Sequence, residues 1–190
     1  MNWWNSKTKI PINNQGFIEI FSFFVFECPS CIKSGGGKSP ACYTKVSARA
    51  SSFRSRGVVK SLLSTVIAEI RRPIAKYGGY AALHASESVE DRVKSICSST
   101  NMKDPEFDLI VFRKRTDMSD AEAVYYYIRN AFAHGAFDVR NNRKSVVYHL
   151  ESRNKNIVYA QMRLREKTLI RYIDLAKLKP EDIRRIQRMR

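Results

Sequence analysis

Arg129, Asn130 and His134 lie close together in the stretch IRNAFAHGAF, residues 128–137. An imidazole takes up and releases protons near neutral pH, which suits it to general acid–base work. A guanidinium is a permanent, fork-shaped cation that matches the oxygens of a phosphate or of a phosphoryl transition state. An amide between them can orient either group. On a helix Asn130 and His134 are four apart and stack on one face, with Tyr126 a turn earlier. Arg129 lies to one side, with a side chain long enough to swing towards the same point, and Ala133 leaves room between them. Tyr126, Arg140 and Arg143 are the candidates for holding a substrate beside this cluster. The plainer alternative is that Arg129 pairs with a carboxylate and His134 fills the last turn, where the helix dipole favours a cation.

The element that must carry these groups is well marked. Ser119 and Glu122 form a capping box ahead of it. Ala121, Val124, Tyr125, Ile128, Ala131 and Phe132 then recur at helical spacing, and Gly135 stands where a helix ends in a left-handed residue. These signals predict a helix from about 120 to 134. The period then changes: SVVYHL (145–150) and IVYAQMRL (157–164), separated by ESRNKN, predict two antiparallel strands. Helices are predicted at 166–178 and 180–190, the latter with proline and acids first and arginines last.

Earlier in the chain, GFIEIFSFFVFECPSC reads as a helix, Phe17, Ile20, Phe21, Phe24, Cys28 and Cys31 lining one face. Residues 58–73 form an amphipathic pattern that Pro73 should stop, and Tyr77-Gly-Gly turns the chain. Residues 83–98 read as helical with His84 capping or on the surface, while EFDLIVFRKR (106–115) fits either a helix or a strand. The expectation is one mainly α domain over 1–190: a helical bundle of four to five helices with a small C-terminal β-hairpin, and a loop region at 33–57.

Charge bounds the partners. Thirty-four Lys and Arg stand against 18 Asp and Glu, a net charge of +16, and such an excess attracts polyanions, of which nucleic acid is the commonest large one. The most apolar run, FIEIFSFFVF (17–26), contains Glu19 and Ser22 and is too short to span a bilayer. No small-residue cleavage site follows it, so a cytoplasmic protein with no membrane partner is expected.

Other chemistries find little support. Cys28 and Cys31 form a CPSC pair with Cys42 beyond, but no second pair completes a zinc site. KSGGGKSP (33–40) lacks the glycine a phosphate-binding loop needs five positions before Gly37, where Ile32 stands. No glutamate has lysine two residues later, as a metal-dependent nuclease typically would. Neither a metal nor a cofactor is expected. A DNA-binding regulator using Arg184, Arg185, Arg188 and Arg190 is a further alternative, without any feature that would read bases.

RNAFAH, with the capping box before it and Gly135 and a hairpin after it, resembles the signature of the HEPN superfamily in its abortive-infection and conflict-system branch. The resemblance covers about 120–175 and fades over the first half of the chain. It implies a helical bundle that forms a homodimer, with two motif helices meeting at one cleft, and metal-independent cleavage of RNA in many members. In that scheme Arg129 binds the scissile phosphate, Asn130 orients the site and His134 handles protons. An antitoxin or defence-system protein is the implied partner. Ala136 stands where some such toxins carry a modified tyrosine, so that form of control is not expected. The competing reading is a non-catalytic HEPN-like module that binds RNA or a partner protein.

Overall fold

The computed structural model describes residues 14–28, 53, 58, 60–99, 107–142 and 145–189. Its elements run α1 (Gln15–Ser22, continued by a π-helical turn Phe23–Glu27), α2 (Lys60–Ala75), β1 (Tyr80–Leu83), α3 (Val89–Ser99), β2 (Leu109–Arg113) and α4 (Asp120–Ala133). They continue through β3 (Phe137–Asn142), β4 (Ser145–Asn154), β5 (Ile157–Arg165), α5 (Glu166–Lys177) and α6 (Pro180–Arg188).

A five-stranded sheet in the order β1-β2-β5-β4-β3 forms the centre. β1 and β2 are parallel, joined by α3 as a crossover, and every other pair is antiparallel. α3 covers one face through Val89, Val93 and Ile96 against Ala81, Leu83, Leu109, Val111 and Val158. On the other face lies the main core, which α1, α2, α4, α5 and α6 build against Ile110, Phe112, Tyr148, Leu150, Met162 and Leu164.

The expected helical bundle with a small hairpin is therefore wrong: the fold is α/β, layered on a mixed sheet. The cause is visible in β2. Leu109 and Val111 face α3 while Ile110 and Phe112 face the main core, so the strand is apolar on both sides and shows no alternation. The helix expected over 83–98 starts later than its pattern suggests: Leu83 ends β1, a turn follows, and α3 runs from Val89 to Ser99. Pro73 does not stop α2, which runs on to Ala75. Its missing N–H leaves the ladder one bond short, and the chain turns out shortly afterwards at Gly78, whose φ is +71°. The first helix ends at Cys28, which is extended, as a residue before proline prefers.

α4 matches its sequence signals. Ser119 Oγ accepts from Glu122 N–H, while the Glu122 carboxylate accepts from Ser119 N–H at 2.9 Å. Eight of its residues are buried, including Tyr125, Tyr127 and Phe132, so the helix runs through the core and only one face is left over. It closes in a Schellman motif: Gly135 N–H donates to Phe132 C=O (3.2 Å), and Ala136 N–H donates to Ala131 C=O (2.8 Å). Gly135 adopts φ +65° with open space where a Cβ would stand, so Gly135→Ala is penalised by backbone conformation alone. The expected loss is about 1–2 kcal/mol in urea unfolding, with Gly135→Asn losing less. An unchanged Gly135→Ala midpoint would mean that this helix end is not fixed.

Candidate functional site

The face of α4 that the core leaves open carries Tyr126, Arg129, Asn130, Ala133 and His134, as the sequence predicts. Tyr126, Arg129 and Asn130 are half-buried, while Ala133 and His134 are exposed. His134 is the C-cap, its N–H donating to Asn130 C=O at 3.0 Å, so the Schellman closure fixes its position at the helix tip. Tyr126, Asn130 and His134 form one column, four residues apart at each step. Arg129 and His134 are separated by about 140° around the helix axis. One chain thus presents an imidazole and a guanidinium on different sides of the same tip.

Beside that column the tip of the β4–β5 hairpin and the segment after β2 close a recess of about 140 Å³. Tyr126, Tyr127 and Asn130 of α4 line it, with Arg115, Ser152, Arg153, Asn154 and Tyr159. The Arg115 guanidinium lies 4.9 Å from the centre of the Tyr126 ring. Asp117 holds it in a fork, Nε to Oδ1 at 2.9 Å and Nη2 to Oδ2 at 2.8 Å. The Asp117 carboxyl is accordingly held below its ordinary range by that hydrogen bond. Arg153 pairs with Glu151, whose other oxygen accepts from Gln161 at 2.8 Å. Tyr127 donates its hydroxyl to Arg113 C=O at 2.9 Å, and burial raises that phenol to about 12. Asn130 Oδ1 is buried and has no hydrogen-bond partner.

Arg140 stands elsewhere. Val139, Tyr148 and Leu150 face the core beneath α4, so Arg140, Asp138 and His149 lie on the opposite side of the sheet. Arg140 Nε donates to Asp138 Oδ2 at 2.9 Å. Within one chain it is therefore not brought together with His134, and Arg143 lies outside the described residues. Cys28 is buried, its thiol 3.7 Å from Tyr125 C=O, whereas Cys31, Cys42 and the 33–40 glycine run lie outside the described residues. Among the described residues no group of His, Cys, Asp and Glu could hold a metal, and no helix is long and apolar enough to cross a membrane.

His149 supplies a pH expectation for this second cluster. Burial, then the positive charges of Arg140 and Arg163, push its imidazole down to about 4 against an ordinary 6.5, with Asp138 opposing. The unfolded chain therefore binds the proton first as pH falls. The stability this group contributes is complete above pH 6.5 and is lost progressively down to about pH 4. The wild type should lose on the order of 2 kcal/mol more than His149→Gln across that window, by urea unfolding at a series of pH values. Parallel pH curves for the two proteins would contradict the assignment.

Arg115, Tyr127, Ser152, Arg153, Asn154 and Tyr159 escaped the sequence reading. They come from three segments brought together only by the sheet, and the one local hint is the turn-like ESRNKN between the two predicted strands. Compared with protein-family models, with curated proteins and with solved structures, the chain matches none of them.

Proposed function

We propose that this protein binds RNA and cleaves it without a metal, using the exposed tip of α4 in the manner the HEPN motif implies. The architectural half of that resemblance is gone, because the chain is built on a sheet. What supports the reading is the tip itself. A capped helix ends on an exposed histidine, with Arg129 and Asn130 a turn behind it, in a chain of net charge +16.

The His134 imidazole accepts the proton of a ribose 2′-OH, and the 2′ oxygen attacks the adjacent phosphorus. The bond to the 5′ oxygen breaks, and that oxygen takes a proton from an imidazolium. Arg129 carries the extra negative charge of the pentacoordinate phosphorus. Since Arg129 and His134 diverge around the helix, both reach one phosphate when a second copy brings its own tip to the cleft. The homodimer then supplies the second imidazole. A regulatory protein that covers the tip would restrain the reaction.

The test is labelled single-stranded RNA incubated in EDTA with wild type, Arg129→Ala and His134→Ala. Cleavage by the wild type, lost in both variants while the oligomeric state is kept, supports the enzyme. RNA binding without cleavage in any of the three overturns it in favour of the non-catalytic module. The divergence of Arg129 and His134 within one chain is the observation that favours that second reading.

A further inference from the structure

The recess beside α4 is too small and too well neutralised to grip the RNA backbone, and its walls suit something else. Its volume, about 140 Å³, falls short of the roughly 300 Å³ at which drug-sized pockets begin. Both of its arginines are already committed to carboxylates, Arg115 to Asp117 and Arg153 to Glu151. Neither is a spare cation for a phosphate. What remains on offer is flat surface and an amide. Tyr126, Tyr127 and Tyr159 line the space, and the Arg115 guanidinium, locked by Asp117, is a planar group set against the Tyr126 ring. Unpaired RNA bases are held by this combination, stacked on aromatic rings and guanidinium planes and hydrogen-bonded along their edges.

Asn130 narrows the choice. Its buried Oδ1 has no partner, and a buried carbonyl without a donor is costly until one arrives. Because the unpartnered acceptor is recessed, it is met best by a donor that projects from the base, an exocyclic amine, while the amide N–H₂ donates to the neighbouring ring nitrogen. Adenine has such an edge, and cytosine shares it. Uracil's edge N–H lies in the ring between two carbonyls and does not project. We infer that the recess is a base-binding subsite for an unstacked adenine or cytosine of single-stranded RNA, read by Asn130 and stacked against the Arg115–Tyr126 pair. Asn130 lies one helical turn from His134, so the base it holds neighbours the linkage that is cut. This inference rests on the ribonuclease reading for its meaning, but binding can be measured apart from cleavage.

The experiment uses 2′-O-methyl hexanucleotides of A, C and U, which cannot be cleaved by 2′-oxygen attack, with the wild type, Asn130→Ala and Tyr126→Ala. Anisotropy should show A and C bound roughly tenfold more tightly than U by the wild type. Asn130→Ala should erase that preference, and Tyr126→Ala should weaken all three by roughly 10- to 100-fold. Asn130→Asp, which keeps the size and the acceptor but loses the donor, should also erase the preference, which guards against misfolding of the alanine variant. Equal binding of all three oligomers by the wild type, or a preference that survives in Asn130→Ala, overturns the subsite. A preference found where natural RNA is never cut leaves the subsite standing and removes only the ribonuclease.

Discussion

His134→Ala is expected to slow RNA cleavage by roughly 10²- to 10⁴-fold while leaving RNA affinity within a few-fold of wild type. The imidazole is exposed at the C-cap of α4 and contributes little packing. Its removal should lower stability by only about 0.5 kcal/mol, the worth of a favourable group at a helix end. The loss therefore has to come from proton transfer. Arg129→Ala should reduce the rate by a similar order, and Arg129→Lys should not restore it, since an ammonium lacks the planar fork that spans two phosphate oxygens. A His134→Ala enzyme cutting at the wild-type rate would remove the tip of α4 from the chemistry.

The largest stability effect is expected at Asp108, far from that tip. Its carboxylate, 3 % exposed, accepts from Arg165 Nη2 (2.7 Å), Arg165 N–H (2.8 Å) and Thr168 Oγ1 (2.7 Å). Asp108 leads into β2, Arg165 ends β5 and caps α5, and Thr168 lies in the first turn of α5. One carboxylate thus joins the middle of the sheet to the start of a helix. Asp108→Ala leaves a guanidinium, an N–H and a hydroxyl without their acceptor, and should cost about 3–5 kcal/mol in urea unfolding at neutral pH. Asp108→Asn keeps an acceptor oxygen and should lose about half as much. Against a total of roughly 5–15 kcal/mol for a domain, the alanine variant should melt far below the wild type. A loss under about 1 kcal/mol would show that solvent screens the cluster.

Legibility in the sequence followed how local each signal was. The capping box of Ser119 and Glu122, the 3.6 period of α4 and Gly135 all act within a few residues, and that helix was readable from end to end. The β4–β5 hairpin was readable for the same reason, its alternation and polar turn being local. β1 and β2 were not, because strands covered on both faces lose alternation and their parallel pairing depends on a distant crossover. β3 follows directly on the α4 closure, and only Asp138 and Arg140 alternating with Phe137 and Val139 hint at it. At the site, the column Tyr126–Asn130–His134 was visible as spacing. The recess was not, since Arg115, Arg153 and Tyr159 meet α4 only once the sheet exists. Arg140, a candidate for holding substrate, is carried by strand alternation to the face of the sheet opposite α4, which no local signal around His134 encodes.

The most direct measurement is on the nucleophile. An RNA strand with a single strong cut site is compared, in EDTA, with the same strand carrying a 2′-deoxyribose immediately 5′ of that linkage. The natural strand should be cut to give a 2′,3′-cyclic phosphate end, and the substituted linkage should stay intact. Cleavage of the deoxy-substituted linkage, or no cleavage of either strand until a divalent metal is added, would contradict the account.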